Sequence, residues 1–163
     1  MNRPNCNCSP LIQRQPQARA VLNGSEQYPD INGIVRFYSM NSGTLVYADV
    51  SGLPHSDNKC SQEFFGFHIH SGESCSGNAD DPFADALTHY DKNSCPHPSH
   101  TGDLPLLLGN SGRAISVFLT NRFSVSDVIG KAVIIHGSPD DFTTQPSGNS
   151  GKKIACGIIR AVR

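Results

Sequence analysis

The residues of this sequence with the clearest chemical potential are its histidines. Six of the seven lie between Phe67 and Asp140, in a cluster with two aspartates: His68, His70, His89, His97, His100, Asp103, His136 and Asp140. Neutral imidazole is the commonest metal ligand in proteins, and carboxylate oxygen favours harder ions, so this mixture indicates borderline metals such as copper and zinc. We interpret the order of the array as two metal sites joined by one shared ligand.

Two of these histidines form a clamp on a predicted strand. In the segment Gly-Phe-His-Ile-His at 66–70, side chains alternate between the two faces, so His68 and His70 project to the same side and can chelate one ion. His136 ends a second apolar strand and can close the same site. The alternative is that these histidines are ordinary core or surface residues with satisfied hydrogen bonds.

A second set of donors lies in one polar segment. It offers three histidines and one carboxylate, the number of ligands that a closed tetrahedral zinc site requires: His89, His97, His100 and Asp103. Pro96 and Pro98 restrict the backbone on both sides of His97, which lowers the entropy cost of presenting its ring. The alternative for such a segment is a solvated connection.

Short strands must position these donors. Hydrophobic residues make up 37% and charged residues 17%, with 15 Gly and 11 Pro, which favours a loop-rich all-β domain over a helical bundle. The pattern predicts roughly seven or eight short strands. It also predicts a hairpin turn at 40–43 and one helical turn at 124–129. The predicted strands are 19–22, 33–39, 44–50, 64–70, 113–120, 131–136 and 153–162. This number suits an antiparallel sandwich or barrel. The long polar stretches between residues 70 and 109 and at 137–151 are expected to be functional loops.

Length and charge limit the organisation and the partners. A chain of 163 residues fits one domain, which we place at 18–163 after a flexible N-terminal tail at 1–17 that is rich in Pro, Asn and Gln. The formal net charge is -1, so no global field favours nucleic acid or an anionic membrane as a partner. There is no apolar run long enough for a spanning helix, and the N-terminus lacks the apolar region of a secretory signal. The cytoplasm is therefore the default expectation.

Over about residues 18 to 162 the sequence resembles the copper/zinc superoxide dismutase family. The resemblance is carried by Gly-Phe-His-Ile-His at 66–70 and by Gly-Asn-Ser-Gly-Lys-Lys-Ile-Ala-Cys-Gly at 148–157. It implies an eight-stranded Greek-key β-barrel, related to the immunoglobulin-like sandwich, with two long functional loops. It also implies dismutation of superoxide to dioxygen and hydrogen peroxide by a copper ion that cycles between two oxidation states, beside a structural zinc.

The resemblance assigns a role to each donor. Copper would be held by His68, His70, His89 and His136, and zinc by His89, His97, His100 and Asp103. His89 would bridge the metals and return a proton to the departing peroxide. Asp140 would accept hydrogen bonds from one ligand of each metal. The rival hypotheses are a non-enzymatic copper-binding or copper-delivery protein on the same fold, which would be expected to lose ligands that are all present here, and a zinc-stabilised structural module.

Two features around the site depart from the family pattern. Where the family places an arginine to orient the anion beside copper, this sequence has Lys153, which keeps the charge but loses the planar fork of donors, so we expect activity to be retained but reduced. The second loop contains no Lys, Arg or Glu at 141–148, so we expect weak long-range attraction of the anion and a shallow dependence of the rate on ionic strength.

The six cysteines can pair in many ways from sequence alone. The resemblance implies a disulfide between Cys75 and Cys156. Cys60 and Cys95 have no counterpart in the family pattern, and a second disulfide and two free thiols are both open. Cys6 and Cys8 lie in the predicted tail and have no assigned role. A homodimer is compatible with the family, but no interface can be identified in the sequence.

Overall fold

Strands dominate the computed structural model, which describes residues 14–58, 60–61 and 63–163. Within these residues, a 3-10 turn at Ala84–Ala86 and a short helix, α1 (Val125–Val128), are the helical elements. The strands are β1 (Ala18–Gly24), β2 (Asn32–Met40), β3 (Gly43–Ser51), β4 (Phe64–Phe65), β5 (Phe67–His70), β6 (Leu107–Leu108), β7 (Arg113–Thr120), β8 (Ala132–His136), β9 (Lys153–Ile158) and β10 (Arg160–Ala161). The all-β prediction is confirmed.

Most of the strands form one curled antiparallel sheet. Its order is β5-β8-β9-β1-β2-β3-β7, with β10 also paired to β1, while β4 and β6 form a separate two-stranded sheet. The predicted hairpin joins β2 to β3, with Met40 opposite Gly43. Neighbours distant in sequence, such as β3 beside β7 and β1 beside β9, require the chain to cross between elements. The curled sheet forms a half-barrel, as expected for the predicted barrel fold.

Alternating burial builds the core on the concave side of this sheet. In β1, for example, Ala18, Ala20 and Leu22 are buried and the residues between them are exposed. Burying a large aliphatic side chain contributes about 1.5–3 kcal/mol, so such alternation fixes the register of each strand. Strands β5 and β8 are buried along their whole length. The histidines on these two strands are therefore held inside the packed interior.

The structure divides two predicted strands and adds another. The strand predicted at 153–162 becomes β9 and β10, with Ile159 between them. The prediction at 64–70 is interrupted at Gly66, where an added Cβ would lie 2.9 Å from Ser150 Cβ and 3.2 Å from His136 Cβ. This close approach leaves no room for a side chain at Gly66, which lies between β4 and β5. The pair Leu107–Leu108 forms β6 inside a stretch that was predicted to be a loop. The sequence did not predict this strand because two residues are too few to show a strand period.

The one predicted helical turn is confirmed as α1. The Ser124 N–H donates to Asp127 Oδ2 at 2.8 Å, which satisfies a backbone donor at the start of the helix. Across the described residues, no helix combines the length and the apolar character needed to span a membrane.

The predicted N-terminal tail falls largely outside the described residues, as do Cys6 and Cys8. At its described end, the Gln17 N–H donates to the Phe37 carbonyl at 2.9 Å, and the Gln17 carbonyl accepts from the Val162 N–H at 2.9 Å. These bonds attach residue 17 to the sheet beside β2. The boundary of the tail stays a prediction.

Candidate metal centre

The donors of the metal centre come from two neighbouring strands and from the loops that fold back on them. Strands β5 and β8 are antiparallel partners, which places His136, at the end of β8, beside the β5 histidines. Isolated bridges then pair His70 with His89 and His68 with Asp103. These bridges hold the loop after β5 against β5 itself, so donors that are far apart in sequence lie close together in the buried interior.

Within the described residues the structure gathers the donors into two groups. In each group, one candidate ligand atom per residue lies within 4.8 Å of the others: His68, His70, His89 and His136 in the first, and His89, His97, His100 and Asp103 in the second. His89 belongs to both. These side chains are enclosed; His68 is 0% exposed and His89 8% exposed.

Hydrogen bonds fix which nitrogen of two rings carries the proton. His70 Nδ1 lies 2.8 Å from the Leu87 carbonyl, and His136 Nδ1 lies 3.1 Å from the Gly151 carbonyl. A carbonyl can only accept, so each Nδ1 must donate its hydrogen. Burial lowers the pKa of His70 well below its usual value and the pKa of His136 to about 3, so both rings are neutral near pH 7.

The two Nε2 atoms of these neutral rings are therefore bare, and they lie only 3.3 Å apart. Two lone pairs that face each other at this distance repel, and a cation that both coordinate removes the repulsion. The pair of rings has the geometry of a preformed metal clamp.

Asp140 connects the two groups. Its carboxylate lies 2.7 Å from His68 Nε2 and 2.9 Å from His97 Nε2. Burial raises the pKa of the Asp140 carboxyl, but the hydrogen bonds from His68, from the Phe142 N–H and from His97 prevail and lower it to about 2, so the carboxylate is ionised at neutral pH. Each ring donates through Nε2, and Nδ1 of His68 and Nδ1 of His97 have no hydrogen-bond partner.

The shared ring and the remaining ligand complete this set of free nitrogens. His89 Nδ1 lies 2.8 Å from Asp103 Oδ1, a member of the second group, which leaves His89 Nε2 for the first group. In the described part of the chain, the buried nitrogens that lack a hydrogen-bond partner all belong to the two groups: His68 Nδ1, His89 Nε2, His97 Nδ1 and His100 Nδ1. Unpartnered buried nitrogens are costly unless a cation satisfies them. The two groups fit a copper and a zinc site.

An open cleft of about 830 Å³ leads to the first group, and His70, His136 and Lys153 are among the residues that line it. The Lys153 ammonium donates to Asp81 Oδ2 at 2.7 Å and to the Phe83 carbonyl at 3.0 Å. The sequence singled out Lys153 but not Asp81, because an acid in a long polar loop carries no signal of its partner. This ion pair is a feature that only the fold reveals.

Two further side chains hold the segment that carries the second group. Arg122 Nη1 donates to the carbonyls of Pro98 at 3.0 Å and His100 at 3.1 Å. Gln145, from the second long loop, bonds the backbone of His97 twice, through its Nε2 to the carbonyl at 2.6 Å and through its Oε1 from the N–H at 3.1 Å. Sequence analysis missed both residues, since a single arginine or glutamine in a connection has no periodic context.

The cysteines resolve into one disulfide and two thiols among the described residues. Cys75 and Cys156 are bonded, with Cα atoms 5.7 Å apart, which confirms the predicted disulfide and ties the long loop to β9. The alternative of a second disulfide is wrong, because Cys60 and Cys95 are free. The Cys95 thiol faces its own turn, with Sγ 3.9 Å from the Asn93 carbonyl, and Cys60 is exposed in a different loop.

Comparisons with known proteins agree with this geometry. A family model described as "Copper/zinc superoxide dismutase (SODC)" matches residues 31–159. A Cu-Zn superoxide dismutase of Deinococcus radiodurans is 33% identical, and the alignment covers 91% of this chain and 86% of that protein. A second relative with this name, from Aquifex aeolicus, is 30% identical over 88% of this chain and 86% of its own length. A third, from Legionella pneumophila, is 32% identical over 78% and 77%. The chain belongs to the copper/zinc superoxide dismutase family.

Proposed function

We propose that this protein dismutates superoxide to dioxygen and hydrogen peroxide, with copper held by His68, His70, His89 and His136 and zinc held by His89, His97, His100 and Asp103. The observation that carries the proposal is the single buried ring, His89, which belongs to both groups of converging donors, and four buried nitrogens of these groups lack a hydrogen-bond partner. When bound, the copper ion would supply the redox chemistry by taking an electron from one superoxide and giving it to another, and the redox-inactive zinc would shape the loop.

The residues of the chain hold the donors in the required protonation states. The carbonyls of Leu87 and Gly151 keep the Nδ1 hydrogens of His70 and His136 in place. Asp140 does the same for the Nε2 hydrogens of His68 and His97. These partners orient each ring and prevent the tautomer that would turn a hydrogen toward the ligand position. His89 Nε2 is the position that would hold a proton for the departing peroxide.

Lys153 is the group that attracts the anion to this site. Its ammonium has three N–H donors, and two of them are directed to Asp81 and to the Phe83 carbonyl. One donor is left for superoxide, compared with the several that a guanidinium fork would offer. Attraction is therefore retained, and preorganisation of the anion is reduced.

The decisive experiment pairs metal analysis of the purified protein with a superoxide-decay assay, with and without added copper. We expect copper and zinc in equal amounts and a decay rate that depends on copper. Copper without accelerated decay would identify a copper-binding or copper-delivery protein instead. Zinc alone, with no response to copper, would identify a zinc-stabilised structural module. Sedimentation of the same sample tests whether the protein is a homodimer.

A further inference from the structure

We propose that Asp81 is a positioning residue that acts through Lys153. Its carboxylate forms an ion pair with the Lys153 ammonium, so an anion that enters the cleft must compete with Asp81 for this positive charge. The inference rests on the proposed function, because it concerns how strongly the same cleft binds its anionic substrate. It predicts that this carboxylate lowers the affinity of the cleft for small anions.

A single turn provides both acceptors of the ammonium. Asp81 Oδ2 lies 2.7 Å from Lys153 Nζ, and the Phe83 carbonyl lies 3.0 Å from the same atom. The other carboxylate oxygen, Asp81 Oδ1, accepts from the Phe83 N–H at 3.0 Å, and the Asp81 carbonyl accepts from the Ala84 N–H at 3.1 Å. The carboxylate is thus fixed by its own turn, and it meets the lysine in a preformed position.

The turn is also attached covalently near the lysine. The Cys75–Cys156 disulfide joins the loop that contains Asp81 to β9, the strand that begins at Lys153. The disulfide and the ion pair are two links between the same loop and the same strand. Both the turn and the disulfide therefore hold the Asp81 carboxylate close to the Lys153 ammonium.

Charge, and not shape, must select the ligand of this cleft. A cleft of about 830 Å³ is far larger than a diatomic anion. The Lys153 side chain is 13% exposed and the Asp81 side chain 38% exposed, so water screens the pair only in part. Asp81 reduces the net charge that an anion meets at this wall. The Phe83 carbonyl, 3.0 Å from the ammonium, is a second acceptor that remains when the carboxylate is removed.

The test is a double-mutant cycle that uses azide, a small anion, on the copper-loaded protein, with the dissociation constant followed by visible absorption. We expect Asp81→Asn to tighten azide binding roughly threefold, a size typical of partly exposed charge pairs. In the Lys153→Gln background the same substitution should leave azide affinity almost unchanged, because the ammonium that pairs with Asp81 is absent. Asp80→Asn is the matched control; it removes the same charge from the adjacent residue, which lines the same cleft, and should change the affinity less.

Three results would overturn the inference. Weaker azide binding in Asp81→Asn would mean that the carboxylate is needed to hold the lysine in place. An equal gain in the Lys153→Gln background, or in Asp80→Asn, would mean that Asp81 acts only as one of several negative charges. The metal-free protein gives the third readout, since NMR should detect a higher pKa of the Asp81 carboxyl in Lys153→Gln than in the wild type. An unchanged value would show that the ion pair is absent.

These readouts are separate from the proposed function. If the copper-loaded wild type binds azide but does not dismutate superoxide, the proposed function fails, and the cycle still decides the role of Asp81. If dismutation is found and the cycle shows no coupling, the function stands and the role of Asp81 fails.

Discussion

The buried metal centre and the wall of the cleft are built in opposite ways. In the metal centre, His68, His136 and Asp140 are each less than 5% exposed and have fixed partners. On the cleft wall, Lys153 and Asp81 lie in partial contact with water and are joined by a single ion pair. Buried polar networks strongly resist change because any unsatisfied member is costly, whereas exposed pairs contribute little. The interior therefore determines which chemistry is available, and the cleft wall adjusts how readily an anion reaches it.

The strongest way to test this contrast is to remove a buried ligand. His136→Ala should lower the second-order rate constant for superoxide decay on the order of a thousandfold or more, because the reaction depends on the metal that the ring helps to hold. The measurement is the decay rate together with bound copper. His55→Ala is the matched control, since His55 is exposed and lies outside both groups, and it should leave the rate unchanged. A retained rate in His136→Ala would contradict the ligand assignment.

The disulfide that joins the two regions should make a large contribution to stability. Cys75 and Cys156 are 81 residues apart, and closing a loop of this length stabilises the fold by about 4 kcal/mol in the chain-entropy account. We expect the double variant Cys75→Ser/Cys156→Ser to lose about that free energy of unfolding, measured by denaturant titration of the metal-free protein. Reductant should destabilise the wild type by a similar amount and leave the double variant unaffected. A loss below 1 kcal/mol would mean that the unfolded chain is already constrained.

The sequence predicted the buried region far better than the cleft wall. Histidines at alternate positions on β5 reveal a shared face through strand geometry, and the resemblance to a family added His89 as the common ligand. The division at Gly66 and the two-residue strand β6 were missed, because a close backbone approach and a very short strand leave no period in the sequence.

Contacts between loops were beyond the reach of sequence patterns. Asp81, Arg122 and Gln145 find their partners only after the long loops have folded onto β5 and β9. Their positions depend on tertiary packing, and before the loops fold each side chain can adopt many solvent-exposed conformations. The two regions thus differ also in how directly local sequence encodes them.

A finer test within the buried region is Asp140→Asn. His68 Nε2 bonds Asp140 Oδ2 and His97 Nε2 bonds Asp140 Oδ1, so an asparagine places its one acceptor oxygen at only one of these rings. Its NH₂ group then faces the other ring and favours the other tautomer there. We expect zinc affinity to fall about 10- to 100-fold, as is typical when a partner of a metal ligand is lost. Competition with a chelator measures the effect. Asp141→Asn, at the adjacent exposed carboxylate, is the control, and equal losses in both variants would contradict the proposed role of Asp140.

The depressed pKa values of the buried histidines predict how the metal-free protein responds to acid. His136 has a pKa of about 3 in the folded state, lowered mainly by burial, compared with about 6.5 in the unfolded chain. Below pH 6.5 the unfolded chain binds a proton that the folded protein does not, so stability falls with pH until about pH 3. The ring contributes a slope of about 1.4 kcal/mol per pH unit.

Asp140 does not obscure this window. Its folded pKa of about 2 lies below the usual carboxyl value of about 3.9, so its stabilising effect is nearly constant above about pH 5 and is lost progressively as the pH falls further. Denaturant titrations between about pH 5 and pH 6 should show a smaller slope in His136→Gln than in the wild type, by about one proton. A slope that His136→Gln leaves intact would show that the ring is not held neutral.

The smallest effect is expected on the cleft wall, in Lys153→Arg. A guanidinium has five N–H donors in a planar fork, so it can bond Asp81 and the Phe83 carbonyl and still present donors to superoxide, whereas the ammonium has one donor left. We expect the second-order rate constant to rise by about threefold, with bound metal unchanged. Lys152→Arg, at the neighbouring lysine of the cleft, is the control and should not reproduce the gain. Because the charge is the same before and after, the gain should persist at high salt and both proteins should show a shallow dependence on ionic strength. A rate constant that is unchanged or lowered in Lys153→Arg would mean that the geometry of the donors at this wall does not limit the reaction. The contrast between a fixed interior and an adjustable cleft wall would then rest on charge alone.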